Sequence, residues 1–501
     1  MMDKQKVVKN SLFLAVRMVF VMIISIFTTR YLLANLGIED YGVYNVTIGI
    51  VSICTFLTPA LANANQRFHN YELGRNNLKG ANYVFNTGVL IQIMMVLVIL
   101  LICETVGLWY INNKLVVPEG RDDAVFWIFQ ISVVAFSISM LQIPFISAVL
   151  AHEHMNFYAL VNVLDAFFKL LIAIGIAYAT YDRLVVYGIL ILLISVANLL
   201  SYYVYSHYNF SDVRLRRVFD KPLMKKMLSF SGWNLFETLA RIGKDQGSNL
   251  LLNAFFGPVL NASRGVAGQV AYAFTGTVES TVMASRPQMV ASYAQGNIQT
   301  AISIFMSLSK GILLLMLLLA LPVYIETDYV LKLWLGSNIH DFAVEFVRFS
   351  LLISLIDKLA SPVTALVHST GKVKKYHVLS GVVNILVIPF AWLLLSLGFH
   401  PLSVYWITLV EVLIAQVLFL FVIRSLLPFS VSSYFKKVCQ PFLVVLLLSF
   451  LIPSFIYYSM DEGLMRFVVV TVTSLFVVSV FGYLFAMSKG ERQFIKSFIN
   501  K

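Results

Sequence analysis

Charged residues and cysteines are scarce in this 501-residue sequence, and it contains no long polar segment. Asp, Glu, Lys and Arg together make up 12% of the chain, whereas apolar residues make up 59%. The mean hydropathy is +0.82. A soluble domain typically has about 25% charged residues, and its core could not absorb this much apolar sequence. The composition therefore excludes a chain built of ordinary soluble domains.

The sequence also lacks the patterns that usually indicate chemistry. Its three cysteines, Cys54, Cys103 and Cys439, are widely spaced and form no metal-binding or redox motif. We expect them to be small core residues, because free thiols are usually buried. We find no Gly-rich phosphate loop and no nucleophile constellation, so we predict no catalytic residues and no cofactor.

One short segment offers a metal site as an alternative. His152 and His154 flank Glu153 in a short predicted loop. Imidazole and carboxylate groups are common zinc ligands, but the sequence suggests no further ligand near them. A solvated turn is the favoured interpretation, and we predict no metal.

Apolar runs of about 20 residues, the length that spans the hydrocarbon core of a bilayer, fill most of the chain. We predict an all-α polytopic membrane protein with about fourteen spanning helices. Arg17 interrupts the first run, which therefore reads as a spanning helix rather than a secretory signal. The predicted spans are 11–34, 42–64, 82–106, 124–149, 157–180, 184–205, 229–256, 265–285, 301–324, 342–366, 378–398, 403–423, 441–459 and 467–487.

The formal net charge of +12 would be compatible with a nucleic-acid partner, but its distribution argues against one. Most Lys and Arg residues fall in alternate loops, as the positive-inside rule requires. Both termini are therefore expected in the cytoplasm. The longest inner loop, 206–228, contains six basic residues, and contact with anionic lipid headgroups is an alternative use for them.

The halves on either side of this loop resemble each other. Residues 71–74 read Tyr-Glu-Leu-Gly and residues 293–296 read Tyr-Ala-Gln-Gly, 222 positions later. An Asn and an Arg seven positions apart also recur, at 10 and 17 and again at 234 and 241. Repeated halves are typical of transporters. The predicted organisation is an N-terminal lobe of helices 1–6 (1–205), a basic cytoplasmic linker (206–228), a C-terminal lobe of helices 7–12 (229–424), and two further helices with a cytoplasmic tail (425–501).

Several charged residues lie inside the predicted spans, where each costs roughly 2.5–3.5 kcal/mol at a helix centre. The seventh helix carries the most of them on one face, which therefore lines a cavity or a protein interface. This face contains Asn234, Glu237, Arg241, Lys244, Asp245 and Ser248.

The excess of basic groups suggests an anionic substrate head such as pyrophosphate. The candidate substrate-binding residues are Arg17, Arg241 and Lys244. The remaining candidates, which serve either ion coupling or structural pairing, are Glu237, Asp245, Glu279, Asp357, Asp165 and Lys169.

Two segments carry a resemblance to a known family. Residues 30–44 contain Leu-Gly-Ile-Glu-Asp-Tyr-Gly between the first two helices, and residues 287–297 read Pro-Gln-Met-Val-Ala-Ser-Tyr-Ala-Gln-Gly-Asn. Both segments, with the helix count, resemble Wzx-type polysaccharide-biosynthesis (O-antigen) flippases of the multidrug/oligosaccharidyl-lipid/polysaccharide (MOP) exporter superfamily. Members of that family carry an Arg in the cavity-lining first helix, and Arg17 matches that place.

The resemblance implies a MATE-like fold of two lobes around a hydrated cationic cavity. It implies alternating-access translocation of an undecaprenyl-pyrophosphate-linked oligosaccharide, for O-antigen, lipopolysaccharide or capsule, across the bacterial cytoplasmic (inner) membrane. The expected partners are this lipid-linked substrate, membrane lipids, and polysaccharide polymerase or ligase machinery. Coupling to a proton or sodium gradient is an expectation drawn from relatives.

Two alternatives to the flippase function stay open at this point. A cation-coupled multidrug antiporter of the same superfamily would favour an acidic, aromatic cavity, whereas this chain places Arg17, Arg241 and Lys244 in the same zone. A membrane glycosyltransferase or polymerase generally needs large outer loops or a soluble domain. The longest predicted outer loops here, near 107–123 and 325–341, are short.

Overall fold

The computed structural model describes residues 4–114, 120–216, 219–256, 258–335, 342–488 and 490–493. Within these ranges the chain is helical and has no β-strand, which confirms the predicted all-α class. Eleven of the described helices are long and apolar enough to span a membrane, and each matches one predicted span. The other three predicted spans, 42–64, 229–256 and 265–285, are largely helical but are not among the eleven, so the count of fourteen stays a prediction.

The chain forms two compact units. The first comprises Met1–Thr238 and Arg286–Gly296, and the second comprises Leu239–Ser285 and Asn297–Lys501. The first unit therefore extends beyond residue 205, and helices cover residues 206–209 and 221–228 of the predicted linker. The helices wholly within the first unit are α1 (Lys4–Ser52), α2 (Leu57–Gly74), α3 (Leu78–Ile102), α4 (Leu108–Lys114), α5 (Asp122–Ala151), α6 (Met155–Gly175) and α7 (Arg183–Asn209).

Two long helices contribute to both units. They are α8 (Lys221–Phe256) and α9 (Pro258–Ala294). The remaining helices belong to the second unit. They are α10 (Ile298–Ile325), α11 (Thr327–Leu335), α12 (Ala343–Asp357), α13 (Ala360–Thr370), α14 (Lys374–Ser396), α15 (Ser403–Leu426), α16 (Val431–Tyr434), α17 (Gln440–Ser459) and α18 (Leu464–Phe481).

The boundary between the first two predicted helices lies at Gly37. Its backbone has φ 83° and ψ 170° and interrupts the helical geometry of α1. Glycine adopts a positive φ without the steric cost that a Cβ would add. Gly42, the second glycine of the Leu-Gly-Ile-Glu-Asp-Tyr-Gly segment, lies within the helical residues that follow. The turn needs one glycine, and the chain is helical again before it reaches the second.

The core of the first unit is built around α5, whose buried residues face several neighbours. Ile128, Phe129 and Met140 are at most 1% exposed. At Gly188 in α7, an added Cβ would lie 2.5 Å from the Cδ1 of Ile128. Glycine therefore lets α7 approach α5 closely.

The cysteines only partly follow the prediction. Cys103 is buried in this core, whereas Cys54 and Cys439 are partly buried. All three carry free thiols. The apolar runs that contain Cys54 and Cys439 are not covered completely by protein, which is why burial of these two thiols is incomplete.

The two similar motifs at 71–74 and 293–296 lie together in the first unit. A Cβ at Gly74 would come within 2.6 Å of the Cα of Ala291, so only glycine allows this approach of α2 and α9. Arg286 reinforces the contact by donating a hydrogen bond of 2.6 Å to Asn63 Oδ1. The end of α9 is thereby held against α2.

The second unit packs around α10, which contacts α12, α17 and α18. Phe346 and Leu331 are fully buried in one of its apolar clusters. A buried ion pair fixes the start of α18, because Arg466 donates two hydrogen bonds of 2.9 Å to the Glu326 carboxylate at the end of α10. Two parallel bonds of this kind set the orientation of the pair as well as its distance.

Candidate functional site

Most of the predicted polar face of α8 is buried in the structure, although Arg241 is only partly buried and Asp245 is exposed. Asn234 and Glu237, in the first unit, are each 7% exposed, and Lys244 and Ser248, in the second, are 8% and 1% exposed. Residues spaced by three and four positions lie on one side of a helix, so one wedge of α8 carries all of them. This burial supports the expectation that the face points away from lipid.

In the second unit this wedge belongs to an ionic cluster. Lys244 Nζ lies 3.1 Å from Glu411 Oε2, and the two side chains are only 10% and 8% exposed. Asp357 interacts electrostatically with Arg241 and with Lys244. A charge in a poorly hydrated site needs such partners, because its desolvation is costly.

A neighbouring pair extends the cluster. Lys358 donates to Glu279 at 3.3 Å, and Ser361 donates to the same carboxylate at 2.8 Å. Lys358 also interacts with the adjacent Asp357. Three bases and three acids thus share this region. They are Arg241, Lys244, Lys358, Glu279, Asp357 and Glu411.

Asp245 does not join this cluster. It is exposed and lines a cavity of about 800 Å³ within the second unit. The same helix also presents Gln246, Asn249 and Asn253 to the cavity. Arg264, which comes from α9, donates a hydrogen bond of 3.2 Å to the main-chain carbonyl of Asp245.

The other polar groups of the cavity are hydroxyls. Ser350 and Ser354 come from α12, and Tyr405 and Thr408 come from α15. Carboxamides and hydroxyls both donate and accept hydrogen bonds. Such a lining matches a neutral, hydroxyl-rich ligand.

Sequence reasoning missed the carboxamides of this cavity. Asp245, Asn249 and Asn253 are four residues apart, which is the spacing of one helix face, and Gln246 lies beside them. That pattern was a usable signal. It was hidden because Asp245 also falls at the edge of the more highly charged stripe.

In the first unit, Arg17 lies among neutral polar groups. Its guanidinium carbon is 5.1 Å from the centroid of the Tyr158 ring, and Nη1 lies 3.5 Å from Asn162 Oδ1. Among the residues that the structure describes, no carboxylate forms an ion pair with Arg17. Two further candidate residues of this unit pair with each other, because Lys169 Nζ lies 2.8 Å from Asp165 Oδ2.

A second group of polar side chains in the first unit corrects the prediction at 152–154. His152 lies in the expected turn, but its side chain is only 20% exposed and its ring stacks on Phe210 with centroids 4.0 Å apart. Its Nε2 lies 3.1 Å from Asp212 Oδ1, and His69 Nε2 lies 2.7 Å from Asp212 Oδ2. His69 and Asp212 are too distant in sequence to be associated with His152 by spacing alone.

The electrostatics of this group follow from its burial. Burial of Asp212 would raise its pKa, but the hydrogen bonds from His152 and His69 outweigh this effect and lower the pKa below its usual range. Burial of His69 lowers the pKa of its ring, against the opposing effect of Asp212. At neutral pH, Asp212 is therefore ionised and His69 is neutral.

The fold has well-defined relatives among solved structures. A MATE transporter crystallised in a bent conformation has a TM-score of 0.73 and 13% sequence identity, over 86% of this chain and 96% of that one. The outward-facing conformation of a multidrug resistance MATE family transporter of the MOP superfamily has a TM-score of 0.72 and 13% identity, over 84% and 95%. A MOP superfamily transporter from Pyrococcus furiosus has a TM-score of 0.70 and 13% identity, over 84% and 95%.

The chain has a MATE-like fold. The structural relatives cover most of its length, and at this identity the likeness concerns the fold alone. No protein-family model matches the sequence, and no curated protein is detectably similar to it in sequence. A MATE-like fold with eleven helices able to span a membrane describes a multi-pass membrane protein.

Proposed function

We propose that this protein is a flippase that moves an undecaprenyl-pyrophosphate-linked oligosaccharide across the bacterial cytoplasmic membrane by alternating access. The MATE-like fold supports a transport function. The observation that carries the choice of substrate is the cavity of about 800 Å³ in the second unit. Its size falls within the range of ligand pockets, about 300–1,000 Å³.

The chemistry of the cavity lining fits a glycan. Gln246, Asn249 and Asn253 each offer an acceptor and two donors to sugar hydroxyls, and Tyr405 adds an aromatic ring. The charged groups of the lining are one acid and one base, so the cavity has no net charge to attract an organic cation. We assign the glycan to this cavity.

Arg17 supports an anionic headgroup. Its positive charge has a tyrosine ring and a carboxamide as neighbours rather than an acid, so a pyrophosphate would supply the missing counter-charge. A planar guanidinium can donate two parallel hydrogen bonds to phosphate oxygens. Arg241 and Lys244 remain candidates for the same group, although Lys244 is already paired with Glu411.

The relatives leave room for this assignment. The Pyrococcus furiosus transporter is described as having a binding pocket of reversed polarity that suggests a different function. The same fold thus accompanies pockets of different charge. A pocket suited to a neutral glycan is a further case of that variation.

A cation-coupled multidrug antiporter is the second candidate. It is favoured by the relative described as a multidrug resistance transporter and by the acids of the ionic cluster, which offer sites for a proton or sodium ion. It is disfavoured because Glu411 and Asp357 both face basic groups. An organic cation would have to compete with Lys244 and Arg241 for them.

The proposal extends to orientation and partners. The distribution of basic residues among the loops supports a cytoplasmic location of both termini. A flipped lipid-linked unit would be delivered to polymerase or ligase machinery, which is the expected partner class. Coupling to a proton or sodium gradient would use the acids of the ionic cluster.

A deletion strain tests the function directly. Its lipid-linked oligosaccharides are extracted, and its surface glycan is measured in parallel. We expect prenyl-pyrophosphate oligosaccharide to accumulate on the cytoplasmic side while the surface polymer is lost, and re-expression to reverse both. Normal lipid-linked pools with altered tolerance to organic cations would reject the flippase and support the antiporter.

A further inference from the structure

Three potential metal ligands converge in the first unit. His69 lies on α2, His152 caps the end of α5, and Asp212 lies in the segment that follows α7. One ligand atom from each lies within 4.8 Å of the other two. We propose that these three side chains bind one divalent transition-metal ion, with Zn²⁺ the ion that their ligand types fit.

The ligand types and distances fit zinc. Imidazole nitrogen and carboxylate oxygen bind Zn²⁺ at about 2.0–2.2 Å, which places tetrahedral ligand atoms about 3.4 Å apart. The nitrogen–oxygen distances here are 2.7 Å for His69 and 3.1 Å for His152. To accept the ion, the His69 contact has to lengthen by about 0.7 Å and the His152 contact by about 0.3 Å.

One side of the site, at His152, is accessible to solvent. The side chains of His69 and Asp212 are 2% and 1% exposed, whereas that of His152 is 20% exposed. An ion can approach past His152, and water can occupy a fourth position there. Three protein ligands with one open position form an established zinc geometry.

Neighbouring groups already orient the ligands. Asn82 Nδ2 donates to the main-chain carbonyls of Asp212 at 2.7 Å and of Arg214 at 2.8 Å, which fixes the segment that carries the carboxylate. The stacking of His152 on Phe210, at an angle of 4° between the rings, fixes the plane of that imidazole. Supporting contacts of this kind are a usual part of metal sites.

The two histidine rings can change from hydrogen bonding to metal binding through a change of tautomer. In the hydrogen-bonded form each Nε2–H faces the carboxylate. In the metal-bound form the proton of each neutral ring lies on Nδ1, and the Nε2 lone pair faces the ion. The bound ion would tie together α2, the end of α5 and the segment after α7.

The test uses the full-length protein in detergent, purified through an affinity tag without histidine and freed of metal with a chelator. Zn²⁺ binding is measured by competition with a chromophoric chelator, and thermal stability is measured with and without Zn²⁺. We expect one ion per chain and a higher melting temperature with Zn²⁺. His152→Gln should weaken binding by at least about 10- to 100-fold.

His207→Gln is the matched control, because His207 is exposed and lies outside the cluster. It should bind Zn²⁺ as the wild type does. Asp212→Asn and His69→Gln are further variants of the proposed ligands. If either does not fold, X-ray absorption spectroscopy of the zinc-loaded wild type identifies the ligands instead, and two histidines are expected. Wild-type protein that binds no ion, or binding that His152→Gln leaves unchanged, would overturn the proposal. Because none of these readouts depends on transport, failure here is distinct from failure of the flippase function.

Discussion

The charged groups inside the two units are arranged differently. In the first unit, Arg17 lies beside Tyr158 and Asn162, which are neutral. In the second unit, Lys244 and Arg241 face Glu411 and Asp357. The same type of residue at corresponding places of two similar half-sequences therefore has different surroundings.

This difference separates the two roles that a membrane-embedded base can have. A base whose charge is matched by buried acids is chiefly part of the packing, since removal of either partner leaves a charge uncompensated. A base with neutral neighbours keeps its electrostatic attraction for an anionic ligand. We therefore expect substitutions at Arg17 to affect transport, and substitutions at Lys244 to affect stability.

Removal of Arg17 should produce the largest effect on transport. Hydrogen bonds to charged groups contribute about 1.5–3 kcal/mol, so Arg17→Ala should reduce glycan export by roughly 10- to 100-fold. The measurement is surface glycan in the complemented deletion strain. Arg30→Ala, an exposed arginine on the same helix, is the control and should export normally. Equal losses from both variants would refute a specific role for Arg17.

Breaking the buried ion pair of Lys244 and Glu411 should mainly lower the stability of the protein. Lys244→Met leaves Glu411 without its partner, which should lower the free energy of unfolding by about 3–5 kcal/mol. The double variant Lys244→Met/Glu411→Leu should recover most of this loss, because it removes both charges. Unfolding in mixed micelles measures the effect.

The exposed pair of Lys332 and Glu462 provides the control for that experiment. Their side chains are 52% and 40% exposed, so water already solvates both charges. Lys332→Met should unfold as the wild type does. If Lys244→Met/Glu411→Leu is as unstable as Lys244→Met alone, the pair of Lys244 and Glu411 does more than balance charge.

The carboxamide cavity should show a smaller effect. An ordinary hydrogen bond contributes about 0.5–1.5 kcal/mol, so Asn249→Leu should raise the half-saturating substrate concentration by roughly 2- to 10-fold. Transport by reconstituted protein measures it. Asn209→Leu, which replaces an exposed carboxamide outside the cavity, should leave this concentration unchanged. If Asn209→Leu raised it more than Asn249→Leu did, the glycan would bind outside this cavity.

The smallest effect concerns Glu491 and pH. Burial would raise the pKa of this carboxyl, but Lys310 and Ser488 lower it to about 2. A carboxyl group whose pKa is lower in the folded than in the unfolded state stabilises the fold at pH values above its ordinary pKa near 4.5. This contribution is lost as the pH falls from about 5 towards 2. The melting temperature of the wild type should therefore fall across that range. The melting temperature of Glu491→Gln should be lower than that of the wild type at pH 6, and it should fall less as the pH decreases. Parallel curves would contradict the assignment.

The sequence predicted the fold more completely than the site. Apolar runs and their spacing are local properties, so the eleven matched spans and the buried face of α8 could be found without coordinates. The pairing of Lys244 with Glu411, 167 positions apart, depends on how distant helices pack. The same is true of His69 with Asp212, which no local pattern associates. The carboxamides at 246, 249 and 253 had a helical spacing that was overlooked beside stronger charges.

The most direct test of the account uses proteoliposomes that contain the purified protein and a lipid-linked oligosaccharide. A membrane-impermeant glycosidase measures how fast substrate from the inner leaflet becomes accessible outside. We predict rapid exposure with the wild type, exposure close to the protein-free rate with Arg17→Ala, and retained exposure with the control Arg30→Ala. Wild-type exposure no faster than in protein-free vesicles would contradict the account.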